Sequence, residues 1–212
     1  SPGIIGFISG FEFINENSCK TGVTWIPNKF SDQSLEKMAN GLINYPGASC
    51  AWSKKILNGW TPLDGVTHED RVLPFRVLLL GGEIRTCAEL LVCYRSSGGI
   101  SRVSREKILN DPAGQRISEL HRVLPDAKLR LKDFDDHSSN SAHSLELRPI
   151  LVNVIRKIQI EIDALSSTGF GLERGYLRLM LSNSSIMTTL RTYLKVRFKF
   201  AYVKFRKIIS KW

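Results

Sequence analysis

The sequence predicts an α/β region over residues 1–103, followed by a helical extension over residues 104–212. Three observations carry this. Short apolar runs bounded by turn residues alternate with helix-period segments up to about residue 103. Beyond Ser101 the pattern becomes purely helical. The charge also changes along the chain. Of 30 Lys/Arg and 20 Asp/Glu, ten bases and no acids fall in 174–212, which leaves the first 173 residues balanced and places the whole excess of +10 in the tail. With 42% hydrophobic residues the chain can bury a sizeable core.

Ile4 to Ile14 is apolar with interspersed Gly and Ser, and predicts a buried strand closed by the turn Asn15-Glu16-Asn17-Ser18. From Ser31 to Tyr45, Leu35, Met38, Ala39, Leu42 and Ile43 recur at helical spacing, with Ser31 as N-cap and Pro46-Gly47 as stop. Ala48 to Trp52 predicts a short strand, leading into a brief helix containing Ile56 and Leu57. Thr61 to Val66 is a loop by its turn residues. Thr67 followed by Asp70 matches an N-terminal box with a carboxylate in the first turn. The helix continues over Val72 to Leu80 and ends at Gly81-Gly82. Ile84 to Cys87 and Leu90 to Tyr94 predict two strands.

Residues 103–110, 112–131, 145–165 and 171–181 are expected to be helical, with Asp133 to Ser144 as a flexible linker. From Ile186 to Trp212, aromatic and aliphatic residues mix with Lys and Arg. On a helix many fall near one stripe, while Leu194 to Tyr202 also alternates as a strand would. A basic amphipathic helix of this kind suits an anionic membrane surface, or packs on the catalytic region with its basic face in water.

No apolar run approaches the roughly 20 residues of a membrane span. The opening Ser-Pro-Gly-Ile-Ile-Gly has no basic n-region. Because it starts without Met inside an apolar segment, a truncated or processed product is expected. Cys19, Cys50, Cys87 and Cys93 lack paired metal-ligand spacing and are expected to be reduced core thiols of a cytosolic protein. His121, His137 and His143 are isolated.

The stretch that carries chemistry is Thr67-His68-Glu69-Asp70-Arg71. Adjacent carboxylates at a helix N-terminus are favoured as anions by unpaired N–H groups and the positive end of the dipole. An ionised carboxylate at the lip of a sheet can take a proton from an attacking hydroxyl. Equally, such a pair caps a helix and does nothing more.

The order of segments adds to this. Gly47 to Lys55, Pro62-Leu63, His68 to Arg71, Leu80 to Ile84, Leu91 to Arg95 and Ile100-Ser101 together resemble the second half of family 2 glycosyltransferases, the GT-A-fold enzymes of bacterial polysaccharide and lipopolysaccharide synthesis. The resemblance covers roughly residues 4–103. It implies an inverting, nucleotide-sugar-dependent hexosyl transfer in which Asp70 is the base that activates the acceptor hydroxyl, with Glu69 as its companion. His68, Arg71 and Trp52 would contact the acceptor, Trp52 by stacking on a sugar ring, although a tryptophan beside a strand also serves as core. Arg95 would meet the leaving diphosphate, or pair with a carboxylate at the strand end. The histidine that members often carry two places after this arginine is Ser97 here.

The resemblance also implies a divalent metal, Mg or Mn, held by an upstream Asp-x-Asp. No such motif precedes Asp70, so the metal ligands are expected outside this chain and the nucleotide-binding half is expected to be missing. Asp133-Phe134-Asp135-Asp136 lies downstream and is expected to be a solvated acidic loop. The expected partners are a nucleotide-sugar donor, a sugar or lipid-linked sugar acceptor, and the inner face of the cell membrane through the basic tail. The alternative is a basic nucleic-acid- or membrane-binding module without catalytic activity. It is disfavoured because it leaves residues 47–101 unexplained.

Overall fold

The computed structural model describes residues 3, 5–27, 34–43, 45–95, 111–138, 144–166, 174–175 and 177. It is a mixed α/β arrangement. The expected N-cap Ser31, the polar stretch 96–101, the helix over 103–110, most of 171–181 and the whole basic tail from 186 lie outside the described residues.

Strand β1 (Ile5–Ile14) is the spine of a four-stranded sheet. Its apolar composition suits a strand with neighbours on both edges. Along one edge β4 (Glu83–Arg95) runs parallel from Ile5↔Glu83 to Ile14↔Arg95. Along the other, two short strands share its length antiparallel: β3 (Cys50–Trp52) faces Gly6 to Ile8, and β2 (Lys20–Trp25) faces Phe11 to Ile14.

Strand β2 is not expected from the sequence, since Lys20-Thr21-Gly22-Val23-Thr24 is exposed throughout and carries no alternation. The turn makes it. Asn15 Oδ1 accepts from the Asn17 and Cys19 amides at 3.0 and 2.9 Å, and Ser18 adopts φ +60° to close the hairpin. β4 is one strand rather than two. Extra residues enter after Cys87 and after Leu90, and the register slips there without the ladder ending.

Helix α1 (Leu35–Ala39) is shorter than expected and is capped by Ser34, whose hydroxyl accepts from the Lys37 amide. The expected helix at Ile56 and Leu57 is a 3-10 turn over Lys54–Ile56. Helix α2 (Glu69–Leu79) crosses between the parallel pair β1 and β4. His68, not Thr67, occupies its N-cap position, and Gly81 at φ +70° supplies the left-handed stop. Val72 to Val77 are all buried, so α2 is enclosed around its full circumference there.

Helices α3 (Pro112–His137) and α4 (Ser144–Ser166) follow. The expected linker over Asp133–Ser144 is corrected in its first half, since α3 continues to His137 and buries Asp133 and Phe134. Two compact units result: residues 1–102 with 125–154, and residues 103–124 with 155–212. Residues 125–154, expected within the extension, belong with the first unit.

In the first unit one cluster joins Ile8 and Ile84 of the sheet, Met38 and Ala39 of α1, and Leu73, Phe75 and Val77 of α2. It takes in Phe134 of α3 and Leu147 and Leu151 of α4. In the second unit, Asp111 Oδ1 accepts from the Gly114 amide, and Arg116 makes a forked pair with Glu161 at 2.8 and 3.0 Å. None of the four cysteines is in the core, contrary to expectation. Cys19 and Cys93 are exposed, Cys50 and Cys87 half-buried, and all are free. Among the described residues no helix is long and apolar enough to cross a membrane.

Candidate active site

The site is the N-terminal turn of α2 against the 3-10 turn Gly47–Ser49 that precedes β3. Gly47 lets the two approach. A Cβ there would stand 3.2 Å from Glu69 Oε1 and 3.4 Å from Asp70 Cβ, so a larger side chain would push the carboxylates aside. The Gly47 amide donates to the Asp70 carboxylate.

Asp70 is half-buried, and its Oδ1 is covered with no hydrogen-bond partner among the described residues. Burial pushes its carboxyl above the usual range, and the Glu69 charge adds to this. His68, Arg71 and the Gly47 amide oppose the rise. A carboxylate made more basic in this way is a better proton acceptor. Glu69 is exposed beside it. Pro74, one turn on, has no N–H to return to the Asp70 carbonyl, which loosens the first turn at Asp70.

Cys50 lies under the pair. Burial, then Asp70 and Glu69, push its thiol up to about 12. It stays protonated, with its Sγ 3.2 Å from the Pro46 carbonyl, and is no nucleophile.

Behind the turn sits a group of residues that the motif did not reveal. Asp126 of α3 is wholly buried. Its Oδ1 accepts from the Thr67 amide at 3.2 Å, and its Oδ2 meets His68 Nδ1 at 2.8 Å. Arg130, one helical turn later and also buried, donates to the carbonyls of Met38 and Ala39 at the end of α1. Burial, with Arg71 next in size, lowers its guanidinium to about 10, and Asp126 counteracts this. Further along, Asp133 takes two hydrogen bonds from Arg76 of α2, at 2.7 and 3.0 Å.

Asp126, Arg130 and Asp133 therefore form a buried polar row at i, i+4 and i+7 on one face of α3. Their sequence signal was legible, since three charges recur at helical spacing on the face that also carries Leu129 and Phe134. Nothing in the sequence names their partners, 57 to 92 residues away.

The structure brings His68, Glu69, Asp70 and Arg71 together at the turn, as adjacency requires. Trp52 lies elsewhere. Its half-buried ring folds over Gly6 of the neighbouring strand and packs against the core. Arg95 is also placed apart. It donates to the carbonyls of Asn15 and Glu16 at 2.8 and 2.6 Å and to Ser18 Oγ at 2.9 Å. It pairs with Ile14 in register, whereas Cys50, next to the site, pairs with Ile8. Six residues of strand, roughly 20 Å, separate the two levels. Three of its hydrogen bonds go to the hairpin turn.

The expected solvated loop at Asp133–Asp136 is corrected as well. Asp133 is sealed against Arg76, and Asp135 pairs with Arg148 at 2.8 Å. Among the described residues no three His, Cys, Asp or Glu side chains converge to hold a metal ion.

In class, this is an α/β chain with a paired carboxylate at a half-exposed helix N-terminus, braced from behind by charged residues of a second helix. No protein-family model, curated protein or solved structure significantly matches the chain.

Proposed function

We propose that this chain supplies the acceptor side of an inverting, nucleotide-sugar-dependent glycosyltransferase, with Asp70 as the base. The observation that supports the reading is Asp70 Oδ1, a buried acceptor with no donor. Such an atom costs about 1–3 kcal/mol when left bare. The rest of the half-exposed carboxylate, beside this covered oxygen, is where an incoming hydroxyl would donate and give up its proton. In that step the acceptor oxygen forms its bond to the anomeric carbon, its proton passes to Asp70, and the nucleoside diphosphate leaves with the electron pair of the broken bond. Glu69 raises the basicity of Asp70, and Arg71 restrains the rise.

The acceptor in this reading is a sugar or a lipid-linked sugar. The resemblance of residues 47–101 to family 2 glycosyltransferases supports the same reading.

The test uses the product of the full reading frame, with UDP-, GDP- and dTDP-hexoses as donors and a mixture of octyl glycosides and polyprenyl-phosphate sugars as acceptors. Asp70→Asn should lower transfer about 10²- to 10⁴-fold, the usual contribution of a positioned base, with nucleotide affinity unchanged. Transfer within threefold of wild type in that variant removes Asp70 from the role.

A further inference from the structure

At the site, the buried Asp126 carboxylate meets a side chain with a partly open far side, His68. Asp126 is fully enclosed, while His68 keeps about a quarter of its side chain accessible. Asp126 as a carboxylate can only accept hydrogen bonds, and the buried Arg130 lies one turn along α3. One oxygen takes the Thr67 amide and the other faces His68 Nδ1. The imidazole must therefore carry a proton on Nδ1, and in its neutral form the lone pair is then on Nε2. His68 precedes Asp70 by two residues at the same turn.

We propose that Asp126 is a positioning residue that fixes His68 in the Nδ1–H form, so that Nε2 joins the Asp70 carboxylate as a second hydrogen-bond acceptor for a substrate offering more than one hydroxyl. This deepens the acceptor-side reading and rests on it for the identity of the substrate. The arrangement of Asp126, Thr67 and His68 stands without it. A polyol, such as the ring face of a sugar, would donate one hydroxyl to Asp70 for deprotonation and a neighbouring one to His68 Nε2. A single alcohol or water would satisfy only one of them.

The alternative is that Asp126 merely caps α2. Two measurements separate the roles. The first is long-range nitrogen–proton NMR of the full chain labelled on its four histidines, with His68 assigned by its loss in His68→Gln. The wild type should show Nδ1 protonated. In Asp126→Asn the amide oxygen keeps the Thr67 amide and the NH2 turns to His68, so Nδ1 must accept and the proton moves to Nε2. A wild-type Nε2–H form, or an unchanged tautomer in a folded Asp126→Asn, overturns the proposal.

The second uses His68→Asn. Its amide can still donate to Asp126 from near the Nδ1 position but has nothing in place of Nε2. It should melt with the wild type and lose at least tenfold in transfer to the octyl glycosides. Wild-type transfer in that variant overturns the acceptor role, and the test holds even if Asp126→Asn does not fold. Absence of transfer in every protein, with the tautomer as stated, would sink the glycosyltransferase reading and leave the Asp126–His68 geometry standing.

Discussion

Replacing Asp133 by Ala probes how much of the first unit depends on the buried row of α3. Arg76 and Asp133 are each about 1% exposed and share two charge-assisted hydrogen bonds at 2.7 and 3.0 Å. The substitution leaves the Arg76 charge enclosed, with only the carbonyls of Thr61 at 2.7 Å and Ile56 at 3.4 Å and the ring of Trp60, 5.0 Å from its guanidinium carbon. Hydrogen bonds to charged groups contribute about 1.5–3 kcal/mol each, and removing one partner of a buried pair costs about 3–5 kcal/mol. Both routes give a loss near 4 kcal/mol, a large share of the 5–15 kcal/mol typical of a domain.

Urea unfolding followed by tryptophan fluorescence is the assay, because Trp60 packs against both Arg76 and His137. With a urea slope of about 2 kcal/mol/M the midpoint should fall by roughly 2 M. The pair Arg76→Met with Asp133→Leu removes both charges and fills their place with apolar side chains, and should recover to within about 1 kcal/mol of wild type. A loss under about 1 kcal/mol for Asp133→Ala, or a double variant no better than the single one, refutes the view that an uncompensated charge sets the cost.

Other perturbations have equally definite outcomes. Gly6→Ala sets a methyl 2.7 Å from Trp52 Cε3 and closer still to the next ring carbon. It should cost about 1–3 kcal/mol by overpacking, and a wild-type melting temperature would show that the indole is not seated on Gly6. Arg95→Ala should speed amide exchange over Asn15 to Cys19 several-fold and leave UDP affinity alone; weaker nucleotide binding would return Arg95 to the donor site. Asp70→Asn should match or exceed the wild type in stability at neutral pH. The folded-state pKa of Asp70 is raised, chiefly by burial. Its ionisation therefore works against folding, and wild-type stability falls as pH rises through that pKa. The advantage of the variant should vanish in acid, where the wild-type carboxyl is protonated too; thermal melts across pH check it, and a neutral-pH loss above about 1 kcal/mol would contradict it.

What could be read in the sequence divides along physical lines. The strand at Ile5–Ile14 and helix α2 with its stop at Gly81 follow from apolar pattern and turn chemistry, which are local. Strand β2 was hidden because nearly every residue in it is exposed, so no face is marked. It exists through the Asn15 turn and the Arg95 clamp from β4. The end of α3 was misread for the opposite reason. Asp133-Phe134-Asp135-Asp136-His137 has the composition of a linker, yet Asp133 is buried against Arg76 and Asp135 is held by Arg148, so tertiary pairing overrides composition. At the site, adjacency alone reveals His68 to Arg71. Gly47 and Asp126 contribute an N–H donor and an acceptor whose partners depend on packing.

The same residues explain why α3 carries expensive charges. Over Val72 to Val77 helix α2 is buried on every side, so apolar contact resists its withdrawal but scarcely resists rotation about its own axis. One residue of rotation, about 100°, would carry the Asp70 side chain away from the Gly47 amide. Hydrogen bonds depend on direction where apolar contacts do not. Asp126 holds the entry of α2 through Thr67 and His68, and Asp133 holds its later turn through Arg76. Two such anchors about two turns apart on one helix leave a single rotation that satisfies both. Apolar replacements could match their stability, as the Arg76→Met, Asp133→Leu pair is expected to do, but that variant gives up one anchor. Its transfer should therefore fall while its stability recovers, and stability and transfer recovering together would show that packing alone aims Asp70.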